Sequence, residues 1–88
     1  MESIINGLRY STAKATPAAR DISGIFEART LYLTPAGRFF VHVVPSDRIY
    51  GPDRIEPLTR EQAKQEYRDA PEHLTPYETV FGETIEDA

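Results

Sequence analysis

The chain has no cysteine and no tryptophan, one methionine and two histidines in 88 residues. Without cysteine there is no disulfide, no thiol nucleophile and no cysteine-based zinc site, which fits a reducing compartment. No apolar run approaches the ~20 residues needed to span a bilayer. The opening Met-Glu-Ser-Ile-Ile-Asn-Gly lacks a basic segment followed by an apolar one, so no secretion signal is expected. These absences together predict a cytoplasmic protein. A chain of this length forms one domain and buries roughly 60–65% of the surface its unfolded form exposes. That leaves little room for a deep active site beside a core.

Basic residues are missing from one region. Residues 1–68 hold ten basic and eight acidic side chains, whereas residues 69–88 hold six acidic ones and no Lys or Arg. The six are Asp69, Glu72, Glu78, Glu83, Glu86 and Asp87. A field of that sign opposes direct binding to a nucleic-acid backbone, whose counterions must be displaced by cations. It favours a basic protein partner. The expected organisation is one domain over residues 1–82, followed by an acidic tail over 83–88.

What the chain does contain is a dense apolar stretch, "TLYLTPAGRFFVHVV", from Thr30 to Val44. Pro35 suits the second position of a type I turn, and Gly37 suits the left-handed residue that follows it. A three-residue loop then pairs Thr34 with Arg38. The register follows: Leu33 faces Phe39, Tyr32 faces Phe40, Leu31 faces Val41, Thr30 faces His42 and Arg29 faces Val43. Alternation puts Leu31, Leu33, Phe39, Val41 and Val43 on one side, expected to carry the helices. The other side is mixed, with Phe26, Ala28, Thr30, Tyr32, Arg38, Phe40, His42 and Val44. Ringed residues with polar neighbours suit a protein–protein contact, so Tyr32, Phe40 and His42 are candidate partner-binding residues.

The flanking segments read as follows. Asn6-Gly7 between "II" and "LRY" predicts a type I′ hairpin. "TAKATPAARDI" predicts a helix over 12–22, with Pro17 an awkward residue inside it. "PSDRIYGPDRIEP", 45–57, has three prolines and reads as a long loop. Thr59-Arg60-Glu61-Gln62 is a capping box that opens a second helix, ending near Ala70 before Pro71. Its apolar stripe is thin: Ala63, Tyr67 and Ala70. Thr75-Pro76-Tyr77-Glu78 predicts another capped turn, closed by Gly82. The fold expected from these elements is α+β, a small antiparallel sheet of three or four strands with two helices in the order ββαββα.

Catalytic chemistry finds no foothold. Ser3, Ser11, Ser23 and Ser46 sit in turn or cap contexts, with no base placed beside them. No glycine-rich loop leads into a helix. His42 and His73 have no third ligand at a metal-site spacing. The protein is therefore expected to be no enzyme and to need no cofactor or metal. Arg38-Phe39-Phe40-Val41 echoes the base-stacking strand of the RNA-recognition motif. The two phenylalanines are adjacent, however, so they point to opposite faces.

Four blocks, "INGLRYST", "TLYLTPAGRFFVH", "PLTREQA" and "YETVFGE", are spread along the chain from Ile5 to Glu83. In these blocks the sequence resembles a group of small proteins of bacterial phages and mobile elements. Its size, acidity and lack of catalytic groups also resemble the anti-CRISPR inhibitors. That resemblance implies a protein that binds a CRISPR effector complex in the bacterial host cytoplasm. Asp69, Glu72, Glu78, Glu83, Glu86 and Asp87 would stand where DNA phosphates lie, with Tyr32 and Phe40 as apolar anchors. The alternative reading is a phage or plasmid accessory subunit, such as the acidic half of a toxin–antitoxin pair.

Overall fold

A computed structural model describes residues 1–47, 49 and 51–83. Among these the chain forms seven strands and two helices. They are β1 (Glu2–Ile5), β2 (Leu8–Ser11), β3 (Thr16–Asp21), β4 (Glu27–Leu33), β5 (Phe39–Pro45), β6 (Arg54–Leu58), α1 (Arg60–Asp69), β7 (Glu72–His73) and α2 (Tyr77–Phe81). β1 and β2 make a separate two-stranded ribbon. The other five form an antiparallel sheet in the order β6-β5-β4-β3-β7. The expected small sheet in ββαββα order is thus overturned: the protein is mostly sheet, and its helices are short.

Two hairpins form where their turn residues demand. Asn6 and Gly7 both take positive φ, 52° and 77°, and close β1 onto β2 with Ile5 opposite Leu8. Gly37 sits at φ 83°, and Thr34 N–H donates to the Arg38 carbonyl at 2.8 Å. The register between β4 and β5 is the expected one, from Arg29 opposite Val43 to Leu33 opposite Phe39.

Two segments differ from expectation. Residues 16–21, expected to be helical, are the strand β3. Pro17 rules out an interior helical position, and it lies beside a bulge, with Ala18 left unopposed between the Pro17–Tyr32 and Ala19–Leu31 pairs. The Ala18 carbonyl instead accepts from the Leu74 and Thr75 N–H groups at 2.9 and 3.2 Å. The end of the expected 45–57 loop is the strand β6, with Ile55 opposite His42 and Pro57 opposite Phe40. β6 is an edge strand, where a proline is tolerated in a sheet.

One sheet face carries the helices. Thr59 caps α1 with both halves of its capping box, Thr59 Oγ1 accepting from Gln62 N–H and Gln62 Oε1 accepting from Thr59 N–H. Ala63, Tyr67 and Ala70 are buried against Ala18, Ala19, Leu31 and Phe39, with Val80 and Phe81 of α2 beside them. α2 lacks the expected threonine cap: Pro76 is the N-cap residue, and Thr75 Oγ1 donates to the Pro17 carbonyl at 2.8 Å. Gly82 ends α2 in the left-handed conformation, as expected.

A chain of ion pairs extends the same face beyond the helix. Arg29 donates through Nε and Nη2 to Glu66 of α1, each at 3.1 Å, and through Nη1 to Glu27 at 2.9 Å. Arg54 links Glu27 to Glu56 on β6. The Glu66 carboxylate, chiefly, raises the pKa of the Arg29 guanidinium, and the Arg29 hydrogen bond holds Glu27 below the usual carboxylate range.

Candidate protein-docking surface

The second sheet face is covered over one half only. The β1–β2 ribbon folds across the end nearest the β4–β5 turn. Tyr10 of β2 lies edge-on to Phe40, and Ile55 completes a small second core with Ile5, Ala15 and Tyr32 beside it. Tyr32 stacks on Phe40 at 5.1 Å between ring centroids. The other half of this face, with Ala28, Thr30 and His42, is half-buried, and Val44 is exposed.

At that open end two connections leave the sheet, 22–26 between β3 and β4 and 46–53 between β5 and β6. Ser46 N–H donates to the Phe26 carbonyl at 2.9 Å and ties one to the other. These connections carry large apolar side chains into solvent. Ile25 is 78% exposed and Ile49 79%, with Ile22 and Phe26 also more than half exposed. Apolar side chains gathered in this way mark interaction sites in soluble proteins.

Carboxylates surround this apolar end. Asp21 accepts from Ser23 through both the hydroxyl and the N–H, and these bonds hold its pKa below the ordinary value. Asp47 accepts from Ile49 N–H at 3.2 Å, shaping the loop that presents Ile49. Asp53 Oδ2 lies 3.2 Å from His42 Nε2. An open cleft of about 590 Å³ between Pro45 and Asp53 runs along the β5–β6 connection.

The residues singled out from sequence do not come together. Phe40 is fully buried and offers no contact area, while Tyr32 is half-buried upon it. His42 sits at the edge of the open half-face. The acidic residues are elsewhere and partly neutralised. Glu72 takes a bidentate bond from Arg20 at 2.9–3.1 Å. Glu83, expected to begin a free tail, is clamped by Lys64 at 2.6 Å and Arg60 at 2.9 Å, with Tyr77 Oη at 3.2 Å. Lys64 first, then Arg60, lower its pKa to about 2. Asp69 accepts from Gln65 Nε2, and Glu78 is exposed at the start of α2. Glu86 and Asp87 lie outside the described residues.

Ile22, Ile25 and Ile49 were not singled out from sequence, and Phe26 and Val44 were placed on the mixed face without being named as partner-binding residues. The signal was present in "DISGIFE", 21–27, where three large apolar residues flank Ser-Gly, a poor setting for a buried helix end.

Among the described residues no group of three His, Asp or Glu side chains is placed to hold a metal ion, and no helix is long and apolar enough to cross a membrane. Comparison with protein-family models, with curated proteins and with solved structures finds no significant match. The resemblance to phage proteins therefore rests on the sequence blocks alone, and that to anti-CRISPR inhibitors on size, acidity and the lack of catalytic groups.

Proposed function

We propose that this protein acts by binding another protein, as an inhibitor or accessory subunit, through the open end of its sheet. The observation that carries the reading is the exposure of Ile22, Ile25, Val44 and Ile49 on the two connections and the strand end that meet at one end of the sheet. Asp21, Asp47 and Asp53 around that end, with a net charge of −4, favour a basic partner surface. The reading assigns no catalysis to the chain.

The narrower proposal is that the partner is a nucleic-acid-binding protein, of which a CRISPR effector complex in a bacterial cytoplasm is one example. In that form the apolar end would anchor the protein beside a basic groove. Asp69 and Glu78 are the acidic residues in 69–83 with no cationic side chain paired to them among the described residues. Glu72 and Glu83 already have guanidinium or ammonium partners within the chain.

The experiment is direct binding of purified protein to purified CRISPR effector complexes, with Ile25→Asp/Ile49→Asp and Asp69→Lys/Glu78→Lys variants in parallel. Binding abolished by the first pair supports the apolar end as the docking surface. Binding abolished only by the second pair transfers the interface to the helices. Absence of binding to any effector removes the narrower proposal, and the accessory-subunit reading then takes its place.

A further inference from the structure

The register sets one row of side chains across the full width of the sheet, on the face turned away from the helices. Glu72 faces Arg20, Arg20 faces Thr30, Thr30 faces His42 and His42 faces Ile55. The small core beneath the ribbon reaches this row only at Ile55. Toward the open end the same face goes on with Ala28 opposite Val44, and Ile22 follows β3 directly. Val44 is 38% exposed and Ile22 63%. From Thr30 to the last β4–β5 pair, Glu27 opposite Pro45, the strand has three residue steps, about 10 Å. An α-helix with its side chains is about 10–12 Å across. Beside the ribbon there is thus room for one helix.

Polar pairs border this strip on both sides. Arg20 binds Glu72 at 2.9–3.1 Å on one side, and His42 Nε2 lies 3.2 Å from Asp53 Oδ2 on the other. An apolar centre inside a polar rim is the anatomy of a protein interface. The segments that bound the strip, 21–26 and 44–53, hold Asp21, Asp47 and Asp53 against one basic residue, Arg48, a net charge of −2. That sign selects the occupant. In a symmetric pair of copies the same patch meets itself. Each aspartate would then face a like-charged surface, which costs binding. A segment carrying Lys or Arg meets the opposite field.

Resting on the protein-docking reading above, we propose that this strip seats one amphipathic helix of the partner protein, laid across the strands. The apolar side of that helix rests on Ile22, Ala28 and Val44, and Lys or Arg at its margins faces Asp21, Asp47 and Asp53. The far face of the same sheet carries a precedent. There α1 lies on Ala18, Ala19, Leu31 and Phe39 with a narrow apolar stripe, and the Arg29–Glu66 pair fastens its margin. Docking of a helix on a partner surface uses the same two parts, apolar anchors at helical spacing and charges beside them.

The test is a ¹H–¹⁵N NMR titration of the whole chain with three synthetic peptides of about 14 residues, roughly 21 Å long as a helix. The first places Leu at helical spacing with Lys elsewhere. The second replaces each Lys by Glu. The third holds the residues of the first in strict alternation, the pattern of a strand. Saturable shifts are expected at Ala28, Thr30, His42 and Val44 with the first peptide, and affinity about tenfold weaker for each of the others. Ile22→Asp and Val44→Asp should each weaken binding by a similar factor. Ile4→Asp, at a comparably exposed isoleucine on the ribbon, should not. Ile22 lies outside the strands, which keeps the test readable should Val44→Asp unfold the chain. Equal or tighter binding of the Glu or the alternating peptide, shifts that survive both Asp variants, or no binding at all overturns the proposal. So does self-association of the chain that Val44→Asp abolishes. If Ile25→Asp/Ile49→Asp still abolishes binding to a partner protein, the docking surface stands and only its helix is lost; if that pair changes nothing, both fall.

Discussion

Tyr10 lies edge-on to Phe40 at 5.6 Å between ring centroids, with an interplanar angle of 74°. This contact fixes the ribbon to the main sheet. The Phe40 side chain has Pro57 on one neighbouring strand and Tyr32 on the other, so a lid from β2 completes its burial. Removing the lid ring leaves a cavity over Phe40 and loses an edge-to-face contact worth about 0.5–1.5 kcal/mol beyond the buried area. Tyr10→Ala is expected to lower stability by about 3 kcal/mol. Urea unfolding followed by far-UV circular dichroism measures it. Loss of less than ~1 kcal/mol, within the range of a surface change, would show that the ribbon is not fastened by this pair.

Arg29 joins α1 to the sheet at a point where apolar packing has run out. Its side chain is 29% exposed and that of Glu66 21%, so solvent screens the pair only in part. Arg29→Met keeps the aliphatic stem but leaves Glu66 and Glu27 without their main donor. We expect a cost of about 1–2 kcal/mol, below that of a fully buried broken pair because both carboxylates can still reach water. The double variant Arg29→Met/Glu66→Met is expected to recover part of this loss, because it leaves one fewer uncompensated charge. A double-mutant cycle by chemical denaturation reads the coupling, and a coupling near zero would refute it.

These two contacts also show how far the fold was legible. The β4–β5 hairpin was readable to the residue because Pro35 and Gly37 fix the loop length, and a period of two then fixes every facing pair. The capping box at Thr59 was readable for a similar local reason. β3 was not: "KATPAAR" has the alanine content of a helix, and what makes it a strand lies far away in sequence. Ala18 and Ala19 are buried because α1 packs on them, and small side chains are what that approach allows. Only Pro17 objected locally. β6 was hidden by its prolines, since Pro57 is tolerated only because the strand lies at an edge. The ribbon cover was not legible either. Whether the face of Tyr32 and Phe40 is open or partly covered could not be read, because nothing local says that Tyr10 folds over Phe40.

Glu83 gives a prediction in pH. Its folded pKa, about 2, lies below its ordinary value of 4.5, with Lys64 and then Arg60 as the causes. A carboxylate shifted in this direction contributes stability that is fully present above pH 4.5. The contribution is lost as pH falls from there through about 2. Glu83→Gln is therefore expected to flatten the stability curve over that interval while leaving the alkaline side parallel to the parent. A carboxyl ¹³C titration gives the pKa directly. A midpoint near 4.5 would show that the clamp does not hold in solution.

A core position and the apolar end should respond differently to substitution. Ala63 is fully buried between α1 and the sheet, so Ala63→Leu forces extra methylenes into a filled space and is expected to cost about 1–3 kcal/mol. Ile25 and Ile49 are more than three-quarters exposed, so Ile25→Ser and Ile49→Ser should each change stability by no more than about 0.5 kcal/mol. Isoleucines retained for binding rather than for folding behave in this way. The paired thermal melts separate the two roles. A fall in Tm for Ile25→Ser or Ile49→Ser as large as that for Ala63→Leu would mean that the apolar end belongs to the core. The docking surface would then have to be sought elsewhere on the molecule.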